Sequence, residues 1–331
     1  MQQQQVLVTG ANGFVGRTLC SALEQKDLSV RRVVRSLFSD VNRPIRAEYT
    51  YALGDIGPET KWDAVLKGVD VVIHLAARVH VMQDYASDPL AAFRIVNTAG
   101  TEHLAWKSAE AGVRRFIYLS SIKVNGEETG TKENPKFFSE TDPPNPLDPY
   151  AVSKWEAEQL LRDVAAETGM EVVSIRPPLV YGPGVKANFL RLLQLVDRGI
   201  PLPLANVNNM RSLVALGNLV DFILCCIGHP SAAGEVFLIS DGEDLSASQL
   251  IRKISFFMNR PARLFPVSLK FLRLAGQILG KEDALSRLCG SLQADISKAK
   301  RVLDWEPPLS CDEGLMATVA GFMQEKKEIH D

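Results

Sequence analysis

The chain has 331 residues, 46% of them apolar and 23% charged, with a formal net charge of −2, a balance that suits a globular protein with a large core. A pI near 6.3 with no basic excess argues against nucleic acid or an anionic membrane as partner. The five cysteines, Cys20, Cys225, Cys226, Cys289 and Cys311, show no C-x-x-C spacing and no histidines at ligand spacing, so they read as reduced thiols with neither a disulfide framework nor a metal site.

The first five residues, Met1-Gln2-Gln3-Gln4-Gln5, have neither the basic nor the apolar region of a signal peptide. The most apolar later stretches, such as 222–227 and 271–279, are shorter than the ~20 residues that span a bilayer. A cytoplasmic enzyme is expected.

The first element is the apolar run Val6-Leu7-Val8, which leads into Thr9-Gly10-Ala11-Asn12-Gly13-Phe14-Val15-Gly16 and then a helical pattern. Strand, glycine turn and helix in that order are what a pyrophosphate site on a helix N-terminus requires. Gly10 and Gly13 let the backbone turn towards phosphates, and Gly16 lets the helix approach the strand. Gly10, Asn12, Gly13, Phe14, Val15 and Gly16 are therefore candidate dinucleotide contacts. Further apolar runs at 30–34, 69–75, 116–119 and 172–175 alternate with helical patterns. The alternation predicts an α/β fold with a doubly wound parallel (Rossmann) sheet, whose ligands sit at the carboxyl ends of the strands.

The segment 123–149 is polar, rich in Gly and Pro, and longer than the ~12–15 residues of an ordinary connection; it reads as a mobile surface loop or as a border of the substrate. At its end Asp148 suits a helix cap and Pro149 a first turn, so a helix should start at Tyr150 and run through Lys154 to about residue 161. Tyr150 and Lys154, four residues apart, share a face of that helix, where the ammonium can lower the phenol's pKa into the range of proton exchange.

After residue 175 the sequence Arg176-Pro177-Pro178-Leu179-Val180-Tyr181-Gly182-Pro183 opens a more irregular region. Residues 216–227 read as a helix and 235–240 as a strand returning to the main sheet. The expected division is a dinucleotide-binding domain at 1–175 plus 214–245, and a smaller discontinuous lobe at 176–213 plus 246–331.

With these residues assembled, the chain resembles the extended short-chain dehydrogenase/reductases of the nucleotide-sugar epimerase/dehydratase family along essentially its whole length. The matching blocks are the glycine loop, Gly54-Asp55-Ile56, His74-Leu75-Ala76-Ala77, Asn97-Thr98-Ala99-Gly100-Thr101, Leu119-Ser120-Ser121, Tyr150-x-x-x-Lys154, the Arg176 block and the late Asp295 to Pro307 motif. The resemblance implies that Tyr150 moves a proton at a sugar oxygen, that Lys154 holds the nicotinamide ribose, and that Ser121 (or Ser120) hydrogen-bonds the reacting oxygen. It implies that Asp55 and Ile56 flank adenine, and that Leu75, Ala76, Ala77, Asn97 and Pro177 complete the cofactor site. Asn188, Arg211 and Arg287 would hold a UDP-sugar's diphosphate, with Ser121 and Lys123 on the sugar side, and the resemblance implies that the smaller lobe at 176–213 plus 246–331 binds the nucleotide-sugar. A homodimer through helices near 103–111 and 150–166 is a further family expectation.

Three departures narrow the reaction. Dehydratases of the family place an Asp and a Glu after the catalytic hydroxyl residue, and this chain has Ile122 and Lys123, so dehydration is not expected. Leu179 replaces a substrate-facing Asn. Where NAD-dependent members carry an acid for the adenosine ribose, this chain reads Val34-Arg35-Ser36, which suits a 2′-phosphate. NADP(H) is accordingly favoured, with NAD(H) as the alternative. The blocks around Ser121 to Glu127 and Pro177 to Lys186 resemble bacterial O-antigen enzymes that reduce the C4 ketone of a UDP-4-keto-6-deoxy-N-acetylhexosamine. That reduction is the leading expectation; a UDP-sugar 4-epimerase with bound NAD is the alternative. A reductase of a steroid-like ketone and a non-catalytic dinucleotide sensor stand further off.

Overall fold

The computed structural model describes residues 3–37, 49–79, 88–130, 134–268, 270–272, 277 and 288–330. Arg287 lies outside the described residues.

The main sheet contains β1 (Gln5–Thr9), β2 (Ser29–Val34), β3 (Thr50–Ala52), β4 (Val71–His74), β5 (Arg115–Leu119), β6 (Glu171–Arg176) and β9 (Val236–Leu238). Its order is β3-β2-β1-β4-β5-β6-β9, and every neighbouring pair is parallel. The strand-period alternation sends successive side chains to opposite faces. Val6, Val8, Ile73 and Ile117 pack against α1 (Phe14–Gln25) and α7 (Leu216–Gly228). Leu7, Val72, Phe116 and Tyr118 pack with Leu104 of α4 (Gly100–Glu110) and with Ala157, Leu161 and Val164 of α5 (Pro149–Thr168). Being covered on both faces, the strands read as continuous apolar runs, as buried parallel strands do. The Rossmann-like α/β architecture expected from the sequence is therefore present, and the order reverses between β1 and β4, where ligands bind in such sheets.

The predicted runs match strands to within two residues. The edge strand β3 carries no such run, because it is short and only half-buried. A second sheet also escaped the sequence reading: β7 (Leu179–Tyr181) pairs in parallel with β8 (Arg211–Ala215), which pairs antiparallel with β10 (Asp244–Leu245). Leu213 and Ala215 of β8 join a further apolar cluster with α6 (Ala187–Asp197), α8 (Ala247–Phe257) and the C-terminal helix Cys311–His330.

Described parts of the long segment after β5 are hydrogen-bonded to the rest of the fold. Thr129 N donates to Ser291 O, Phe138 N to Gln293 O, and Asp295 N to Phe138 O. Glu140 accepts from Leu238 N at 2.8 Å. Among the described residues no helix is long and apolar enough to cross a membrane, and no cluster of three or more His, Cys, Asp or Glu is placed to hold a metal ion.

Candidate active site

The glycine turn is shaped by contacts that exclude side chains. Gly10 sits at φ +66°, and a Cβ there would lie 2.9 Å from Ala76 N; a Cβ on Gly16 would lie 2.2 Å from Gly10 O. Helix α1 starts directly behind the turn with Gly13 as its cap, no side-chain cap bond and no acid in its first turn. A helix start of that kind favours an anion through its free N–H groups and dipole. Asn12, Phe14 and Val15 lie on the same turn and first helical residues, so the residues fit a dinucleotide pyrophosphate.

Thr9 locks this turn to the next strand. Its hydroxyl lies 2.7 Å from His74 Nδ1 and accepts from Leu75 N and Ala76 N at 3.2 and 3.1 Å. His74 Nε2 meets Thr101 Oγ1 at 3.0 Å. Burial holds the imidazole's pKa down at about 3, with the nearby Lys154 acting in the same direction, so His74 is a neutral bridge. Leu75, Ala76 and Ala77 thus follow β4 alongside the glycine turn.

Arg35 and Ser36 follow β2. Arg35 Nε pairs with Asp55 Oδ1 at 2.7 Å, both side chains being 75% exposed, so the guanidinium expected to read a 2′-phosphate here lies against the carboxylate expected beside adenine. Ile56 is buried against Gly100. Asn97 lies on a π-helical turn, Arg94–Ala99, between the short helix α3 (Pro89–Phe93) and α4. Its amide accepts from Arg78 N at 2.8 Å and donates to Ser153 Oγ at 3.0 Å, which braces α5 from the side.

Helix α5 begins as its sequence requires: Asp148 Oδ1 accepts from Ala151 N at 2.7 Å, and Pro149 occupies the first turn. It runs to Thr168, beyond the expected end near 161, because Leu161 and Val164 continue its apolar face onto the sheet. Tyr150 and Lys154 lie near the carboxyl end of β5. The Ser121 side chain faces the Tyr150 phenol and lowers its pKa. Lys154, 2% exposed, donates to Leu119 O at 2.8 Å, with its Nζ 4.5 Å from the Tyr118 ring centroid and 5.9 Å from that of Tyr150. Ser120 is turned elsewhere, into a buried group where it donates to Glu158 and Glu158 pairs with Arg176 at 2.6 Å. Ser121 is the hydroxyl that meets Tyr150.

The electrostatics differ from the sequence expectation. Tyr150 keeps some surface, yet desolvation around its hydroxyl dominates and pushes the phenol above its ordinary range; Asp148 pushes further, and the Ser121 hydrogen bond opposes both. Burial brings Lys154 down to about 7, with Glu158 opposing. The lowering of the phenol by the ammonium that the spacing suggested is not what sets its pKa: desolvation dominates and favours the protonated form.

On the sugar side, Pro177 O accepts from Ile122 N at 3.0 Å, which ties the Ser121 turn to the segment leaving β6. Asn188 is exposed near the start of α6, just after Ala187 at φ +53°. Arg211 lies on β8, with Nη1 donating to Gly290 O at 3.0 Å. Lys123 pairs with Glu127 at 2.9 Å and with Asp148. Tyr118, the ring under Lys154, escaped the sequence reading. The alternation Phe116, Ile117, Tyr118 was its available signal.

A Rossmann-like sheet with a glycine turn at its switch point and a Ser-Tyr-Lys group on the adjoining helix defines the class of nicotinamide-dependent oxidoreductases built on the short-chain dehydrogenase/reductase plan. The chain belongs to the NAD dependent epimerase/dehydratase family, whose model matches residues 6–240. It is 45% identical over 321 residues to a UDP-glucose 4-epimerase of Vibrio cholerae, covering 96% of this chain and 95% of that protein. Among solved structures it is similar to the UDP-glucose 4-epimerase of Thermotoga maritima with UDP-glucose, at 25% identity and TM-score 0.77, covering 98% of this chain and 100% of the other. It is likewise similar to MoeE5 in complex with UDP-glucose and NAD, at 25% identity and TM-score 0.76, covering 97% and 99%.

Proposed function

We propose that the chain is a UDP-sugar 4-epimerase that works with bound NAD. The observation that carries this reading is the Ser121–Tyr150–Lys154 group at the carboxyl end of β5, in a fold whose glycine turn after β1 leaves no room for a Cβ at Gly10 or Gly16. Likeness to 4-epimerases over nearly the whole chain supports it.

Gly10, Asn12, Gly13, Phe14, Val15 and Gly16 would hold the pyrophosphate of the dinucleotide, Asp55 and Ile56 its adenine end, and Leu75, Ala76, Ala77, Asn97, Lys154 and Pro177 the remainder. When bound, the nicotinamide supplies hydride exchange at C4 of the sugar. The ionised form of Tyr150 would take the proton of the C4 hydroxyl during oxidation, becoming the neutral phenol, and would return it to the C4 oxygen after the sugar has turned its other face. Ser121 would hydrogen-bond the same oxygen and fix its position relative to the phenol. The protonated form of Lys154 would supply positive charge near the phenol and favour the phenolate that the first step needs. The 176–213 plus 246–331 lobe would cover the sugar, with Asn188 and Arg211 on the diphosphate.

A second reading rests on one observation: β2 ends in Val34-Arg35, with no acid at the position suited to the adenosine ribose. It makes the chain an NADPH-consuming 4-ketoreductase of a UDP-4-keto-6-deoxy-N-acetylhexosamine in surface-polysaccharide synthesis. The two readings separate in one assay. Purified protein is incubated with UDP-glucose and UDP-GlcNAc without added reductant, and with the 4-keto-6-deoxy sugar plus NADPH. Inversion at C4 in the first mixture is expected; stoichiometric NADPH oxidation in the second, with no inversion in the first, would overturn the epimerase in favour of the reductase.

A further inference from the structure

The segment that links Ser121 to Tyr150 leaves the sheet and returns to it, and its two ends meet in one ion pair. Lys123 Nζ bonds Asp148 Oδ2, 25 residues away, and Glu127 Oε1 at 2.9 Å. Each of the three side chains keeps only 18–26% of its surface, so the pair is screened less than an exposed one. Both partners are already tied to the catalytic group. Lys123 sits in the one-turn helix Ile122–Val124, and its N–H donates to Ser121 Oγ at 3.3 Å. Asp148 gives its other oxygen to Ala151 N as the cap of the helix that starts with Tyr150. Asn145 N donates to Val124 O at 2.9 Å and closes the same neck through the backbone.

We propose that Lys123 is a positioning residue: with Asp148 it forms a clasp across the neck of this loop that holds Ser121 and Tyr150 in register and neutralises the carboxylate nearest the phenol. The proposal rests on the reading of Tyr150 as the group that moves the proton. The charge beside the phenol is already felt, since Asp148 is the second cause, after desolvation, of the raised Tyr150 pKa. Among the described residues, Lys154 of its own helix, Tyr118 of β5, Ser121 of the turn and the Phe93 ring of α3, at 6.1 Å, also face Tyr150, with the Arg78 guanidinium 5.5 Å from the Phe93 ring. Of these, only the clasp ties the Ser121 turn to the start of α5 through a charged pair.

The clasp makes opposite predictions for its two halves. Lys123→Met removes the positive charge held against Asp148 and should move the Tyr150 limb of the kcat–pH profile up by about half to one unit. It should lower kcat near neutral pH about tenfold, with KM changed less than about threefold. Asp148→Asn keeps a competent cap but removes the charge, so the limb should move down. Lys123→Arg should restore the wild-type profile. Shifts in the same direction, no shift, or an effect confined to KM would each overturn the clasp, the last by making Lys123 a substrate contact. If the wild type turns over no UDP-sugar, the functional reading fails, and the clasp is judged by melting temperature. A Lys123→Met/Asp148→Asn double variant no less stable than the worse single variant supports the pair, and simply additive losses overturn it.

Discussion

Lys154 Nζ donates to the main-chain carbonyl of Leu119 at 2.8 Å, so the ammonium on α5 is anchored to the end of the strand that leads to Ser121. The bond fixes the distance between catalytic helix and sheet, and it buries the lysine in a place where its charge is costly. The Glu158 carboxylate, one turn further along, opposes the effect of that burial.

The depressed Lys154 pKa, about 7, has a consequence for stability. A lysine whose folded pKa lies below its unfolded value destabilises the fold fully at low pH, where both states are charged. The penalty is relieved as pH rises from about 7 towards 10.5, because the unfolded chain then binds more protons. Lys154→Met should therefore raise the melting temperature relative to wild type most at pH 6, with the advantage shrinking by pH 9. A pH-independent difference across that interval would show that Lys154 does not titrate in it.

Tyr150→Phe removes the hydroxyl that meets Ser121 and leaves the ring against Phe93. Dinucleotide binding should persist while turnover drops by a factor of about 10²–10⁴, the usual worth of a positioned acid/base. Fluorescence titration with NAD, run beside the activity assay, distinguishes this from misfolding; near-normal turnover would remove Tyr150 from the mechanism.

Gly16→Ala forces a Cβ to 2.2 Å from Gly10 O, against backbone that has little freedom to move. The expected cost is about 1–3 kcal/mol of stability, together with a marked loss of NAD affinity as the turn is pushed out of shape. Wild-type affinity in calorimetry would mean that the turn relaxes freely and does not cradle the phosphates.

Arg35→Ala tests the cofactor reading. Because the Arg35–Asp55 pair is 75% exposed on both sides, stability should change by less than about 0.5 kcal/mol. If Arg35 reads a 2′-phosphate, NADPH binding should weaken about 10- to 100-fold more than NADH binding. Equal loss for both would leave Arg35 without a role in choosing the cofactor.

The sequence by itself determined the local parts. Short continuous apolar runs marked the buried strands from Val6 to Ile175, Asp148-Pro149 marked the start of α5, and the glycine spacing marked a turn with no room for a Cβ at Gly10 or Gly16, because each of these is dictated within a few residues. Tertiary structure alone decided the rest. The short strands β3, β7, β8 and β10 exist through pairing partners tens of residues away. The burial of Ser120 against Glu158, itself paired with Arg176, depends on residues far along the chain. The balance of the Tyr150–Lys154 pair was likewise invisible in its spacing: i to i+4 brings phenol and ammonium together, but desolvation by the surrounding sheet, turn and helix sets which form each one takes, and desolvation is a property of the packed fold.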